Sequence, residues 1–237
     1  MSGSKDRPVA LVTGAGPGLG ASLVRRFAKE YAVAINARNA AYVQSLASEI
    51  REAGGVALEA PGDIGDRAQV AAAFRSIRER LGPPEVLLYN AGSGNWGTVT
   101  EITPDQFEQS WRVNAFGAFV CASECAPDML SRGRGVMLFT GATAGVKAGP
   151  MSVAFGPAKF AMRGLSQSLA RDLGPKGIHV AWINIDGSID APTGTKRLVK
   201  EGSLDPDAIA ETYWHLAHQD RSAWTMETEL RPFKEKF

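Results

Sequence analysis

The sequence lacks the features that would place it in a membrane, outside the cell or on nucleic acid. No apolar run in its 237 residues approaches the roughly 20 that a membrane helix needs, and the polar opening has no signal-peptide core. No basic block exceeds a few residues and the net charge is +1, so no nucleic-acid-binding surface is predicted. These absences predict a cytoplasmic protein with neither a membrane nor a nucleic-acid partner.

Cysteine and histidine are also too scarce for a disulfide framework or a metal site. Cys121 and Cys125 are four residues apart in a helical pattern, which favours two small buried apolar side chains over a disulfide or redox pair. The histidines, His179, His215 and His218, do not cluster with cysteines or carboxylates at a spacing typical of metal ligands. No metal is predicted.

Short apolar runs alternate along the chain with longer stretches of helical pattern. Apolar strands without strict alternation are typical of a sheet covered on both faces, and the order predicts a Rossmann-type doubly wound parallel sheet of the α/β class. Predicted strands cover 9–13, 33–37, 56–60, 86–90, 136–140, 179–185 and 225–231; predicted helices cover 20–30, 40–53, 66–81, 104–131, 154–173 and 206–217. We expect a flexible N-terminus at 1–8 and a single domain over 9–237, because no repeat or linker interrupts the pattern.

A glycine-rich loop follows the first predicted strand. Glycines allow a tight turn and a close backbone approach to a pyrophosphate, while the next helix offers free N–H groups and a positive partial charge. Because the loop lies at the first β-to-α turn, it predicts a dinucleotide site rather than a plain tight turn. The residues expected near the phosphates are Gly14, Pro17, Gly18, Leu19 and Gly20.

The preference between cofactors is predicted from Arg38, just past the second predicted strand. A carboxylate there would hydrogen-bond the adenosine 2′-hydroxyl, whereas an arginine offers a charge-assisted fork to a 2′-phosphate. We therefore expect NADP(H) to be favoured over NAD(H). The alternative is a solvated surface arginine.

Several motifs in the same order resemble the short-chain dehydrogenase/reductase family over nearly the whole chain. They are the glycine-rich loop, Asp63-Ile64, Asn90-Ala91-Gly92, Asn114, Lys159 and the Gly-Ile-His-Val run at 177–180. The resemblance implies that Asp63 and Ile64 contact adenine. It also implies that the residues after the fourth and sixth strands line the cofactor; they are Asn90, Ala91, Gly92, Gly187 and Ile189.

The resemblance also implies a mechanism, from which this chain departs. In that family a tyrosine exchanges a proton with the substrate oxygen, a serine holds that oxygen, a lysine binds the nicotinamide ribose, and an asparagine anchors a water relay. Asn114 and Lys159 match the last two residues. Phe155 stands at the tyrosine position, four residues before Lys159, and Ala142 stands at the serine position. In this respect the chain resembles a subgroup whose members lack the tyrosine.

Two more positions differ from the family pattern. Asp186-Gly187 replaces the usual Pro-Gly after the sixth strand, and Ala191 replaces a threonine that would bond the nicotinamide amide. Losing the acid and the oxyanion donor together costs roughly 10⁴-fold or more in rate. Weak carbonyl reduction is therefore expected, although hydride transfer from a well-placed nicotinamide can persist.

The residues around the expected substrate position predict an apolar or aromatic ligand. Trp96, Met151 and Val153 would form apolar walls with Phe155, the alternative for Trp96 being a loop anchor. A substrate lid is expected at about 188–220. Within it, Tyr213 or His215 could supply the missing proton, or could be ordinary helix residues.

Asp186 is the other candidate for a direct role at the nicotinamide. A carboxylate there would favour the positively charged oxidised ring, and the alternative is a turn or capping aspartate.

Two predicted helices, 104–131 and 154–173, carry apolar and small residues on several faces. A helix that is apolar nearly all round is buried, here between subunits. The family resemblance implies a homodimer or homotetramer formed through these helices.

Two functions follow from these motifs. The first is an NADP(H)-dependent oxidoreductase with an altered active site and a small-molecule substrate. The alternative is a cofactor-binding sensor or structural protein without turnover, and unrelated chemistry in the same fold stays open.

Overall fold

Strands and helices alternate along the chain, as the sequence predicts. The computed structural model describes residues 7–190 and 201–235. Its strands are β1 (Val9–Thr13), β2 (Ala32–Asn36), β3 (Val56–Glu59), β4 (Val86–Tyr89), β5 (Gly135–Thr140), β6 (Ile178–Ile185) and β7 (Glu227–Leu230). Its helices are α1 (Leu19–Phe27), α2 (Ala40–Glu52), α3 (Arg67–Arg80), α4 (Pro104–Trp111), α5 (Gly117–Arg132), α6 (Phe155–Leu173) and α7 (Pro206–Ala217). Most of the predicted N-terminal tail, part of the predicted lid and Ala191 lie outside the described residues.

The sheet has the strand order β3-β2-β1-β4-β5-β6-β7, and every neighbouring pair is parallel. The order reverses between β1 and β4, where Thr13 pairs with Tyr89. In doubly wound sheets a ligand binds in the crevice at such a reversal, at the carboxyl ends of the strands. The predicted single-domain α/β architecture is confirmed.

Two apolar cores cover the two faces of the sheet. One contains Phe27 of α1 and Tyr213 of α7, and the other contains Phe74 of α3 with Cys121 and Cys125 of α5. Both cysteines have no exposed surface, and burial raises the pKa of both thiols. The prediction that they are small buried apolar residues is confirmed.

The predicted helix at 104–131 is two helices joined by a π-helical turn, Arg112–Phe116. Such turns insert one extra residue and are frequent at functional sites. Asn114 lies in its centre, fully buried. Gly117 follows, where a side chain would collide with the Ile64 carbonyl and the Tyr89 hydroxyl, each 2.6 Å from its Cβ position. Glycine therefore lets the helix approach the sheet closely enough to bring Asn114 to the strand ends.

Candidate cofactor and substrate site

A cleft of about 480 Å³ opens at the carboxyl ends of β1, β2 and β4. The predicted cofactor residues that line it are Gly14, Pro17, Arg38, Asp63, Ile64, Ala91 and Gly92. Sequence reasoning missed other lining residues, among them Asn36, Asn39, Tyr42, Gly62, Ser93 and Val113. Asn36, Asn39, Gly62 and Ser93 lie at or just after the ends of β2, β3 and β4, so strand position was the signal that could have found them. Tyr42 in α2 and Val113 in the π-helical turn reach the cleft from helices, which strand position does not indicate.

The glycine-rich loop has the geometry that a pyrophosphate needs. Gly14 has φ +68°, and a Cβ there would lie 2.5 Å from the Ala91 Cα. A side chain at Gly20 would collide with the loop itself, whereas the Cβ positions of Gly16 and Gly18 meet nothing within 4 Å. No side chain caps the start of α1, whose N–H groups and dipole attract an anion. The loop therefore fits the phosphates of a dinucleotide.

Some predicted cofactor residues support the cleft from behind. The Asn90 side chain donates to the Gly14 carbonyl at 3.0 Å and accepts from the Thr140 hydroxyl at 3.2 Å, which ties β1, β4 and β5 together. Leu19 and Gly20 are buried at the start of α1. These residues fix the shape of the loop rather than form the wall of the cleft.

Arg38 lies at the end of the cleft next to α2. Its side chain is exposed, and the neighbouring Asn39 caps α2 by accepting from the Tyr42 N–H at 3.1 Å. A guanidinium at this position can reach a phosphate in the cleft without being buried.

Lys159 and Asn114 converge on the opposite end of the cleft, at Gly92. A Cβ at Gly92 would lie 3.4 Å from Asn114 Oδ1 and 3.8 Å from Lys159 Nζ. Lys159 is buried and donates to the Thr140 carbonyl at 2.9 Å, and burial lowers its pKa to about 7.

The Asn114 amide is held rigidly and leaves one acceptor unused. Its nitrogen donates to the Ser93 carbonyl at 3.0 Å and to the Ser110 carbonyl at 2.9 Å. Among the described residues, its buried Oδ1 has no hydrogen-bond partner. Buried acceptors of this kind are normally satisfied by a water or a ligand hydroxyl. Lys159 and Asn114 therefore fit the hydroxyl-rich ribose end of a nicotinamide cofactor.

Phe155 begins α6 and packs between Trp96 and Lys159. Its ring centroid is 4.9 Å from that of Trp96, and Lys159 Nζ lies 5.5 Å from the Phe155 ring centroid. Ala142 has an extended backbone and precedes a 3₁₀ turn at Thr143–Gly145. Neither Phe155 nor Ala142 carries a hydroxyl, so proton exchange with a substrate needs another group.

A second cavity, of about 410 Å³, adjoins this aromatic pair. Its lining residues are Trp96, Thr143, Ala144, Lys147, Ala148, Gly149, Pro150, Met151 and Ser152. The Trp96 loop is tied to the loop before α6, since the Gly97 N–H donates to the Met151 carbonyl at 2.8 Å. Trp96 is 60% exposed and forms a wall, and Val153 is half-buried outside the lining.

Asp186 is buried beneath this second cavity. Its carboxylate accepts a hydrogen bond from the Thr143 hydroxyl and forms an ion pair with Arg231 at 2.5 Å. The charge of the Asp186 carboxylate is therefore compensated by a guanidinium from the segment after β7.

Gly187 and Ile189 were expected to line the cofactor, but they fix the backbone after Asp186 and do not line the described cleft. Gly187 has φ +145°, and a Cβ there would lie 2.8 Å from Pro232. Ile189 pairs with Leu204 and packs against the core that contains α1.

The prediction that Tyr213 reaches the substrate is wrong. Tyr213 has no exposed surface, and its hydroxyl shares a hydrogen bond of 2.8 Å with that of Thr140. Burial raises its pKa, which disfavours proton release. Because α7 packs against α1, the Tyr213 ring fills the core on the sheet face opposite α6. His215 is exposed on the same helix.

The described residues contain neither a group of side chains able to hold a metal ion nor a helix able to cross a bilayer. Two histidines are engaged elsewhere: His179 bonds the Thr225 carbonyl at 2.8 Å, and His218 bonds the Tyr31 hydroxyl at 3.2 Å.

Comparisons with known proteins agree with this geometry. The chain is 36% identical over 176 residues to a short-chain dehydrogenase/reductase of Hericium erinaceus, covering 72% of this chain and 70% of that protein. It is 35% identical over 179 residues to versicolorin reductase of Emericella nidulans, covering 74% and 67%.

Solved structures share the whole fold. A short-chain dehydrogenase from Rhodopseudomonas palustris has a TM-score of 0.84 and 35% identity, covering 95% of this chain and 99% of that chain. A metagenomic short-chain oxidoreductase in complex with NADP has a TM-score of 0.83 and 26% identity, covering 97% and 99%. The sequence model for short chain dehydrogenases matches residues 8–200. The chain belongs to the short-chain dehydrogenase/reductase family of oxidoreductases.

Proposed function

We propose that the protein binds NADP(H) and is an oxidoreductase with a non-standard active site, of the subgroup that lacks the tyrosine. The observation that carries this proposal is the Phe155 ring, packed between Trp96 and Lys159 where the family mechanism needs a hydroxyl. When bound, the nicotinamide supplies or accepts the hydride. Lys159 and Asn114 hold the ribose next to the nicotinamide, and Arg38 binds the phosphate on the adenosine end of the cofactor. Carbonyl reduction by the usual family mechanism is weak.

A second candidate is a cofactor-binding sensor or structural protein without turnover. The absence of a hydroxyl at both Phe155 and Ala142 favours it. Incubation with NADPH and a panel of aromatic ketones, and with NADP⁺ and the matching alcohols, distinguishes the two. Cofactor turnover above the protein-free rate supports the enzyme, and binding with no turnover in either direction supports the sensor.

The ligand class that we propose is apolar or aromatic. Trp96, Met151 and Pro150 give the second cavity mostly apolar walls, and Lys147 brings an exposed charge to its rim. Such walls gain most from a flat, poorly hydrated ligand.

The first prediction concerns cofactor preference. Replacing Arg38 by alanine is expected to weaken NADPH binding about 10- to 100-fold, because a hydrogen bond to a charged group is worth about 1.5–3 kcal/mol. The affinity for NADH should change little. Arg75→Ala is a matched control, since Arg75 is exposed on α3 and does not line the cleft. Equal losses for both cofactors, measured by fluorescence titration, would refute the role of Arg38.

A second prediction concerns assembly. We propose a cytoplasmic homodimer or homotetramer, because α4, α5 and α6 expose Phe107, Trp111, Phe119 and Phe160 at 43–52% of their surface. The double variant Phe119→Asp, Phe160→Asp is expected to elute as a monomer with light-scattering detection. Phe233→Asp is the control, because Phe233 is 87% exposed elsewhere. A wild-type monomer at micromolar concentration would contradict the proposal.

A further inference from the structure

Thr143 brings a hydroxyl next to Ala142, the position at which the family mechanism expects a serine. Thr143 directly follows Ala142 in the chain and lines the second cavity together with Trp96, whose ring contacts Phe155. It is half-buried and begins the 3₁₀ turn that packs against α6. The turn is held by the Thr143 carbonyl, which accepts from the Val146 and Lys147 N–H groups at 2.9 Å.

The hydrogen bond that the Thr143 hydroxyl donates determines which kind of partner its oxygen can still bind. A threonine hydroxyl carries a single proton, and here that proton is donated to Asp186 Oδ1. The other carboxylate oxygen, Oδ2, is held by Arg231 at 2.5 Å, and Glu229 shares the same guanidinium at 2.6 Å. Both carboxylate oxygens of Asp186 therefore act as acceptors, one from Thr143 and one from Arg231. The lone pairs of Thr143 Oγ1 are thus left for a partner that brings its own proton.

We infer that Thr143 anchors the substrate oxygen in this cavity, and that the substrate it selects is a secondary alcohol on an apolar or aromatic frame. An alcohol brings the proton that Thr143 Oγ1 needs, whereas a ketone offers only lone pairs to an oxygen that has no proton left to donate. The inference rests on the proposed oxidoreductase function and adds the anchoring residue and the substrate class.

The corresponding step is alcohol oxidation. The alcohol proton moves to Thr143 Oγ1 as the threonine proton moves to Asp186 Oδ1. An oxidised nicotinamide held by Lys159 and Asn114 would accept the carbinol hydrogen, with its electron pair, as hydride. The products are a ketone, a reduced nicotinamide and a protonated Asp186, which then loses its proton to water. The reverse reaction starts from a protonated Asp186 and passes through the same groups. Asp186 and Arg231 are positioning residues, and Thr143 is the group that touches the substrate.

The test measures binding, so that it does not depend on turnover. The probes are α-tetralone and the tertiary alcohol formed by adding a methyl group to it. Both are inert with NADP⁺-saturated protein, because the tertiary alcohol has no carbinol hydrogen and the ketone cannot be oxidised. The wild type is expected to bind the alcohol about 3- to 10-fold more tightly than the ketone, the worth of one neutral hydrogen bond.

Three variants separate the role of Thr143 from a structural one. Thr143→Val keeps the shape and should abolish the preference, while Thr143→Ser should retain it. Asp186→Asn provides an amide donor to Thr143, frees the threonine proton and should shift the preference towards the ketone. The Thr143 variants leave the Asp186–Arg231 ion pair intact and decide the question even if Asp186→Asn does not fold.

The outcomes also separate this inference from the proposed function. Failure of the wild type to bind NADP⁺ would overturn both. NADP⁺ binding with the same probe preference in wild type and Thr143→Val, or with no affinity for either probe, would overturn the role of Thr143 alone. With secondary α-tetralol as substrate, Thr143→Val should lower kcat about 10²-fold or more, and Thr143→Ser should restore most of that loss.

Discussion

Restoring both hydroxyls, in the double variant Ala142→Ser, Phe155→Tyr, should raise carbonyl reduction with NADPH by about 10³-fold or more. A positioned acid contributes about 10²–10⁴-fold, and an oriented donor to the developing oxyanion about 10²–10³-fold. Lys159 lies one helical turn after position 155, with Nζ 5.5 Å from the Phe155 ring centroid. A tyrosine at 155 would therefore lie close enough to Lys159 for the lysine, when protonated, to favour the ionised form of the tyrosine. Because the two groups act on one oxygen, each single variant should recover only part of the gain.

The measurement is the rate of NADPH consumption with a small aromatic ketone such as α-tetralone. Phe233→Tyr combined with Ala72→Ser is the matched control, since it adds the same two hydroxyls at exposed positions that line neither cavity. A large gain in the first variant alone would mean that the rest of the family machinery is intact. No gain would mean that the pocket around Asp186 and Thr143 no longer presents a carbonyl to position 155, and would contradict the account of the lost hydroxyls.

The second large effect is on stability, through Lys159. Burial lowers its pKa from 10.5 to about 7, so between these values the unfolded chain binds a proton that the folded chain does not. The free energy of unfolding therefore rises with pH across this window. A penalty of up to about 5 kcal/mol is fully present below pH 7 and is relieved as the pH approaches 10.5. Lys159→Met, which has no proton to bind, should be more stable than the wild type near pH 7.

Urea unfolding of the cofactor-free protein at several pH values tests this expectation. The difference in unfolding free energy between Lys159→Met and the wild type should be largest near neutral pH and shrink as the pH rises. Lys147→Met is the control, because Lys147 is exposed and should leave the pH dependence unchanged. A constant difference between Lys159→Met and wild type across the range would mean that the buried lysine keeps its proton. The pH dependence would show that burying Lys159 costs folding stability.

The fold could be predicted because its signals are local and repeated. Each predicted strand overlaps an observed one, and the glycine-rich loop lies at the strand reversal where such sheets bind ligands. The boundary errors are small, except in the predicted helix at 104–131. A π-helical turn at Asn114 adds one residue to a turn, and hydrophobic periodicity does not resolve a single extra residue.

The candidate site was harder to predict where side chains meet across the fold. Tyr213 was expected near the substrate because of its position in the chain, but α7 turns its ring into the core against Thr140. Arg231 reaches Asp186 from 45 residues further along the chain, so its contact could not be predicted from local sequence. Thr143 directly follows Ala142, which the sequence analysis singled out. Its proposed role depends on the hydrogen bond to Asp186, which the sequence does not show.

The most direct test of the central claim is a fluorescence titration of the purified protein with NADPH and NADH, supported by thermal shift. The account predicts saturable binding of both, with NADPH at least about tenfold tighter because of the guanidinium at Arg38. Binding should also raise the midpoint of thermal unfolding with increasing cofactor concentration. A protein that binds neither cofactor, with an unchanged melting temperature, would contradict the assignment of the cleft and with it the proposed oxidoreductase.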